Sequence, residues 1–233
     1  MNGSGSKYTV WHYVGCGCAI LLVLGILGVG GCFWMATNWG RQLESEIKDP
    51  AARAAKARSL LGYEELPRGY HPGISFSVPF VMEVVSLGDK ELPAGEGMEG
   101  MRGDADLFEE RGFIYFKMRA FGQDSEDMTE DFSGFDFEAE ETVAEGEVEA
   151  GGAAVRYTAE LGETIVGTGR IPSVSAELEI DCRDGFFRKA VWFEPIPGAS
   201  PGQEEIPKES LAGTPADEAA LRAFLDHFQF CRS

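Results

Sequence analysis

The sequence predicts an α+β fold in which an antiparallel sheet is packed by a C-terminal amphipathic helix and preceded by a transmembrane helix and a stalk helix. The stretch 14–36 holds no charged residue. Short segments rich in aromatic and β-branched residues are separated by glycine-containing turns, which is typical of antiparallel strands. We therefore expect a short tail at 1–13, a transmembrane helix at 14–36, a helical stalk at 37–62 and an extracytoplasmic domain at 63–233.

The apolar stretch is long enough to cross a bilayer, because about 20 apolar residues span the hydrocarbon core as a helix. Aromatic residues flank it where the rings of a membrane helix lie at the interface. They are Tyr8, Trp11 and Tyr13 on one side and Phe33, Trp34 and Trp39 on the other. Lys7 and the absence of acids before residue 41 favour a cytoplasmic N-terminus, with the C-terminal domain outside the cytoplasm, or in the periplasm of a bacterium. Small residues at helical spacing permit weak homo-oligomerisation through this helix.

Two other interpretations of this stretch stay open. Residues 29–32, Val-Gly-Gly-Cys, resemble a lipobox, and Cys32 would then anchor a lipoprotein through an attached lipid. A cleaved signal peptide has a shorter apolar run, of about 7 to 15 residues, that ends in small residues. Here the run is longer and ends in Trp34 and Met35, so the spanning helix is the interpretation that we favour.

The stalk contains a well-delimited helix. Asp49 is placed to cap it, Pro50 suits its first position, and Gly62 is placed to end it. The intervening residues are mostly alanine with three interspersed basic side chains, which gives only a modest apolar face. We therefore interpret this helix as a solvated spacer.

The domain is predicted to be mostly strands. Alternating apolar residues or aromatic runs mark each strand, and Gly151-Gly152 and Asp184-Gly185 mark the turns of two hairpins. The predicted strands are 74–78, 80–87, 113–121, 142–149 with 153–161, and 174–182 with 186–194. Residues 88–112 and 123–141 are predicted to be loops, the second exposed because it is so acidic.

A C-terminal helix is predicted to pack on the sheet. Thr214 is placed to cap it, and Pro215 suits its first position. Its apolar face is formed by residues at positions i, i+3, i+4 and i+7. These are Leu221, Phe224, Leu225 and Phe228.

Charge limits the partners that this domain would bind. The chain has 20 basic and 39 acidic residues, a net charge of −19. A field of that sign repels phosphate backbones, so we expect no nucleic-acid binding. Basic partners, such as another envelope protein, are attracted instead. An acidic surface that simply keeps the domain soluble is the plainer interpretation.

Cys182 and Cys231 are the two cysteines outside the apolar stretch. In an oxidising compartment an even number of cysteines favours a disulfide, which would close a loop of about 50 residues and contribute about 3 to 4 kcal/mol. Separate buried cysteines are the first alternative. A zinc site with His71 and His227 is the second, although no paired ligand spacing typical of zinc domains is present.

Two further patterns resemble binding motifs without their context. Residues 95–100 match GxGxxG in their letters, but Pro93 precedes them and no strand leads into them, so we predict a loop. Two acidic clusters lack the spacing of an EF-hand, which needs a glycine and converging oxygen ligands, so loose, low-affinity cation binding is the alternative that they leave open. They consist of Asp104, Asp106, Glu109 and Glu110, and of Asp124, Glu126, Asp127, Glu130 and Asp131.

These observations predict a membrane-anchored binding or assembly module rather than an enzyme. No combination of residues forms a recognisable catalytic set, and we assign no catalytic residue, no cofactor and no metal. The opposing hypothesis is a cell-envelope enzyme that uses carboxylates, which are too numerous to choose between from the sequence.

Overall fold

A computed structural model describes residues 40, 47–78, 81–94, 108–119, 137–166, 169–200 and 206–232 of the chain. The chain divides into two compact units, Met1–Ser45 and Glu46–Ser233, and the second holds the elements given below. None of the helices within the described ranges is long and apolar enough to span a bilayer. The predicted transmembrane segment, 14–36, lies outside those ranges.

The second unit is built on one antiparallel sheet of seven strands, as the sequence predicts. The strands lie in the order β1-β2-β3-β7-β6-β5-β4, and every neighbouring pair is antiparallel. Their bounds are β1 (His71–Val78), β2 (Met82–Gly88), β3 (Gly112–Arg119), β4 (Phe137–Ala150), β5 (Ala153–Val166), β6 (Gly169–Asp181) and β7 (Phe186–Pro195). Strands β4 and β1 form the two edges.

Glycines set the two predicted hairpin turns. Gly151 and Gly152 have φ of 60° and 76°, the left-handed values that a two-residue turn of type I′ requires at both positions. The second hairpin, between β6 and β7, turns through Cys182–Gly185, four residues rather than two. There Arg183 and Gly185 both have positive φ, of 55° and 78°.

Strand β4 is longer than predicted. It begins at Phe137, so the interpretation of 137–141 as part of an exposed loop is wrong. The physical reason is its place at the sheet edge. Most of its side chains are exposed, which lets a run of glutamates stay hydrated while the backbone pairs with β5.

The predicted stalk helix has the expected ends but a different environment. Helix α1 (Pro50–Leu61) is capped by the Asp49 side chain, which accepts a hydrogen bond from the Ala51 N–H at 3.0 Å, and Gly62 ends it with φ 69°. Arg53, Ala57 and Leu61 are nevertheless buried, and α1 packs against β1 and β2. The interpretation as a solvated spacer is therefore wrong. These residues lie at positions i, i+4 and i+8 and form a narrow stripe along α1. The stripe packs on the sheet because the small alanine side chain lets the helix approach the strands closely.

Helix α2 (Glu218–Leu225) is shorter than predicted at its start. Asp217 caps it by accepting from the Ala219 N–H at 3.0 Å, so Thr214 is not the cap. Thr214 is instead buried, and its hydroxyl donates to the Leu211 carbonyl at 2.7 Å. The predicted apolar residues are all buried, and Phe228 lies just beyond the helix.

The main core lies between the sheet and the two helices. Phe224 of α2 stacks on Trp192 with ring centroids 4.2 Å apart, and Phe228 stacks on Phe113 at 5.2 Å. We call this side of the sheet the helix face. A smaller cluster lies on the opposite side of β2, β3 and β7, and its buried members are Val84, Phe108, Ile114, Phe116 and Phe193.

Candidate functional site

Cys182 and Cys231, the two cysteines that the sequence pairs, are joined by a disulfide with their Cα atoms 5.2 Å apart. The bond links the β6–β7 turn to the C-terminal segment, residues 226–232. Within that segment Phe230 stacks on Tyr115 of β3 with ring centroids 5.6 Å apart. The disulfide therefore holds an aromatic segment against the sheet, which is a structural role.

The zinc alternative does not fit this arrangement. Both sulfur atoms are bonded to each other, and His227 is exposed while His71 is half-buried at the start of β1. Within the described ranges, no group of three His, Cys, Asp or Glu side chains could hold a metal ion.

Several predicted features lie outside the described residues. They are the lipidation alternative Cys32, the GxGxxG match at 95–100, and the acidic residues Asp104, Asp106, Asp124, Glu126, Asp127, Glu130 and Asp131. Glu109 and Glu110 are described and exposed. Their backbone N–H groups donate to the two carboxylate oxygens of Asp89, at 2.8 and 2.9 Å, so Asp89 holds the backbone of these two residues.

A strongly charged surface in the described part of the chain is the side of β4, β5 and β6 opposite the helix face. Valine, alanine and tyrosine of these strands alternate inward into the core, so the register directs the intervening residues outward. We call this surface the acidic face. Its carboxylates are Glu145, Glu147, Glu149, Glu160, Glu177, Glu179 and Asp181, and its cations are Arg156 and, from β7, Lys189.

The two cations of the acidic face are paired within it. Arg156 Nη2 lies 2.7 Å from Glu179 Oε2, and Lys189 pairs with Glu177. The Arg156 side chain is 72% exposed, so the pair contributes little to stability. The remaining carboxylates outnumber these cations, and the acidic face keeps a net negative charge.

Two open clefts lie along the acidic face. One of about 490 Å³ is lined by residues that include Glu145, Thr158 and Glu177. The other, of about 290 Å³, is lined by residues that include Glu147 and Asp181. Arg156 and Glu179 line both, so their ion pair lies between the two clefts. Charged walls and open shape suit a peptide or protein surface better than an enclosed small molecule.

A second group of polar side chains lies at the end of the sheet where β7 finishes. Trp192 Nε1 donates to the Tyr70 hydroxyl at 2.8 Å, and that hydroxyl donates to Glu194 Oε1 at 2.9 Å. Burial raises the pKa of Glu194, and burial together with the Glu194 charge raises the pKa of Tyr70 well above its usual value. The nearby Asp89 carboxylate is occupied by two backbone N–H groups. This chain of hydrogen bonds satisfies buried polar atoms around Trp192 and is best explained as structural.

A buried arginine lies at the opposite end of the sheet. The Arg188 side chain is fully buried, and its guanidinium forms two hydrogen bonds to the Asp184 carboxylate, at 2.7 and 2.6 Å. The bonds from Arg188 hold the pKa of Asp184 at about 2. Burial raises the pKa of the neighbouring Tyr115 to about 12. The pair anchors the β6–β7 turn beside the disulfide.

Sequence reasoning did not single out the acidic face. The signal that could have found it is a glutamate at every second position, at 145, 147 and 149 and again at 177 and 179 followed by Asp181. Period-two acids place the carboxylates of each strand on one side. What the sequence could not supply is that β5 brings these two rows to the same surface.

Comparison of the chain with protein-family models, with curated proteins and with solved structures finds no match.

Proposed function

We propose that this protein is a single-pass membrane protein whose extracytoplasmic domain is a binding module, and that the acidic face binds a basic partner. The observation that carries the proposal is the two-sidedness of the sheet. Over β4 to β6 one side is buried under helices and the C-terminal segment, while the other side carries seven carboxylates and Arg156, with Lys189 of β7 beside them.

Charge complementarity supports a basic protein surface or peptide as the partner. Opposite charges across an interface accelerate encounter and select the partner, and they do so without a deep pocket. Nucleic acid and anionic lipid are repelled by the same field. Another envelope protein with a cluster of lysine or arginine side chains is the partner class that fits.

The membrane anchor is the second part of the proposal and depends on the uncharged stretch 14–36. Tethering raises the effective concentration of the domain for partners in or beside the same membrane, so even a weak contact would be occupied. A lipid anchor on Cys32 would have the same consequence.

The test uses the full chain in neutral detergent and a fluorescein-labelled peptide of alternating lysine and glycine, which carries charge without favouring a strand. We expect binding that weakens as salt rises from 50 to 300 mM. The triple reversal Glu145→Lys, Glu147→Lys and Glu177→Lys should weaken binding at least tenfold. The matched control reverses three exposed acids elsewhere, Glu64, Glu65 and Glu110, with the same change of net charge. Equal loss in both variants would overturn the acidic face as the binding site.

A further inference from the structure

The edge of the sheet at β4 adjoins the acidic face. Strand β4 pairs with β5 and with no other strand in the described part of the chain. Bulges interrupt its register between Ala139 and Glu141 and between Thr142 and Ala144, but from Ala144 to Ala150 the register is regular. A regular edge can accept an added strand, whereas a bulged one resists it.

The hairpin register determines which backbone groups of β4 face outward. A two-residue turn at Gly151-Gly152 makes Ala150 and Ala153 a hydrogen-bonded pair. In an antiparallel pair, residues that bond to the neighbouring strand alternate with residues that do not. Every second residue of β4, counted back from Ala150, therefore bonds to β5, and the intervening residues direct their N–H and C=O groups away from β5. The outward residues are Glu145, Glu147 and Glu149.

The two sides of this edge differ in character. The three glutamate side chains are exposed and belong to the acidic face. On the helix side, a groove of about 380 Å³ lies beside the bulged end of β4 only. Its lining includes the apolar residues Val143, Leu211, Ala212 and Ala216 and the acids Glu141, Glu209 and Asp217. Beside the regular part of the edge the helix side is formed by Gly146, Val148 and Ala150, so a strand laid there would meet carboxylates on one side and small or apolar residues on the other.

We propose that the partner binds β4 as an eighth strand, through an extended segment in which lysine or arginine alternates with apolar residues. This inference rests on the proposed function and names the partner's binding segment. Residues opposite Glu145, Glu147 and Glu149 point to the same side as these glutamates, so basic residues there form cross-strand ion pairs. The residues between them face the helix side, beside Gly146 and Val148. Main-chain hydrogen bonds supply affinity, and the alternation supplies specificity.

Charge selects this occupant over a second copy of the chain. Pairing β4 with another β4 would bring two rows of glutamates together, and like charges directly opposite each other are destabilising. A basic strand meets the same rows with opposite charge. Sedimentation of the full chain alone at low salt, where this repulsion is least screened, should therefore show no self-association through this edge.

The experiment compares labelled six-residue peptides, since residues 145–150 of β4 can pair with six residues. The first alternates lysine and valine, and the second has three lysines followed by three valines, with the same composition and charge. We expect the alternating peptide to bind the full chain at least tenfold more tightly. In the antiparallel orientation that every strand pair of this sheet has, the lysine N–H groups face β4, so a third peptide that is N-methylated at its lysines should lose this advantage. Its matched control, N-methylated at the valines, should retain most of it.

A variant of the chain gives an independent arm. Glu147→Pro removes an N–H that points away from β5, so the ladder between β4 and β5 keeps its hydrogen bonds. Glu147→Gln removes the charge and keeps that N–H. We expect the proline variant to bind the alternating peptide at least tenfold more weakly than the glutamine variant, with unfolding curves confirming that both are folded.

The outcomes separate this inference from the proposed function. One outcome is that all four peptides bind with equal affinity and that the triple charge reversal abolishes this binding. The proposal of a basic partner would then stand, and strand addition would be overturned. Absence of binding by any lysine peptide would overturn both. Self-association that is abolished by Glu147→Pro would overturn the basic partner at this edge in favour of a second copy.

Discussion

The buried Arg188 is held in an ion pair with a carboxylate that is more exposed than itself. The Arg188 side chain is fully buried, whereas its partner Asp184 is 38% exposed. The free-energy cost of desolvating the guanidinium is offset by its two hydrogen bonds to Asp184. Because such bonds are strongest to a charged acceptor, the carboxylate is needed in its ionised form. Stability at this turn therefore depends on the charge of one aspartate.

Replacing Asp184 with asparagine should destabilise the protein by about 1 to 3 kcal/mol, less than for a fully buried pair because solvent screens the carboxylate. The pKa of Asp184 is lowered to about 2 in the folded state, so its contribution is present above about pH 4 and is lost as pH falls toward 2. Urea unfolding at pH 7 and pH 3 measures both effects. Glu218→Gln, which breaks the exposed pair with Arg222, is the control and should change stability by less than about 0.5 kcal/mol. Equal effects of the two substitutions would contradict a special role for Asp184.

Glu194 should show the opposite dependence on pH. Burial raises its folded pKa, so the stability it contributes is present at low pH and is lost as pH rises through that pKa. Glu194→Gln keeps an acceptor for the Tyr70 hydroxyl and removes the desolvated charge. We expect the variant to be at least as stable as the original protein at pH 7, with the difference disappearing below about pH 4. Thermal unfolding across this pH range measures the difference in stability. A variant that is less stable than the original protein at every pH would contradict a destabilising charge on Glu194.

Among the elements, helix α1 is the one whose role changes most between sequence and structure. Leu61 is fully buried in the core that the sheet shares with α2. Arg53 also ties the helix to its surroundings, since Nη1 donates to the Ile47 carbonyl at 2.7 Å and Nη2 to the Leu92 carbonyl at 2.5 Å. The helix is thus part of the folded domain.

Leu61→Ala should therefore cost about 2 to 5 kcal/mol, the usual range for a leucine deleted from a core. Ser59, two residues earlier on the exposed side of the helix, supplies the control, and Ser59→Ala should change stability by less than about 0.5 kcal/mol. Denaturant unfolding of the two variants gives the comparison. Similar small costs would restore the interpretation of α1 as a spacer.

The disulfide joins two elements that are 49 residues apart in the chain. Replacing Cys182 and Cys231 together with serine should destabilise the domain by about 3 to 4 kcal/mol, chiefly through a less constrained unfolded chain. Unfolding with and without reductant measures this, and the serine variant should not respond to reductant. Peptide mapping without reduction should recover the linked pair, and recovery of two free thiols from the purified protein would contradict it.

At the scale of the whole molecule, the proposed topology places the domain outside the cytoplasm. The uncharged stretch 14–36 and Lys7 carry that expectation. Reporter fusions after Lys7 and after Ser233 test it, and we expect activity typical of the cytoplasm for the first and of the exterior for the second. A cytoplasmic C-terminal reporter would overturn the topology and the compartment in which the proposed partner is sought.

Local patterns in the chain were sufficient for much of the fold. Period-two alternation identified the strands of both hairpins, the glycines identified their turns, and the apolar face of α2 follows from four residues at helical spacing. Each of these signals lies within about ten residues, where side-chain periodicity alone decides which face is buried. The helix caps at Asp49 and Gly62 belong to the same class.

By itself, the sequence determined the antiparallel α+β character of the domain, its acidic charge and the candidate pairing of Cys182 with Cys231. Only the tertiary structure decided that α1 packs on the sheet, that β4 extends back to Phe137 at an edge, and that two rows of acids share one surface. The physical reason is distance along the chain. Strand order and helix docking depend on the summed burial of residues far apart in sequence, and no local period encodes that sum.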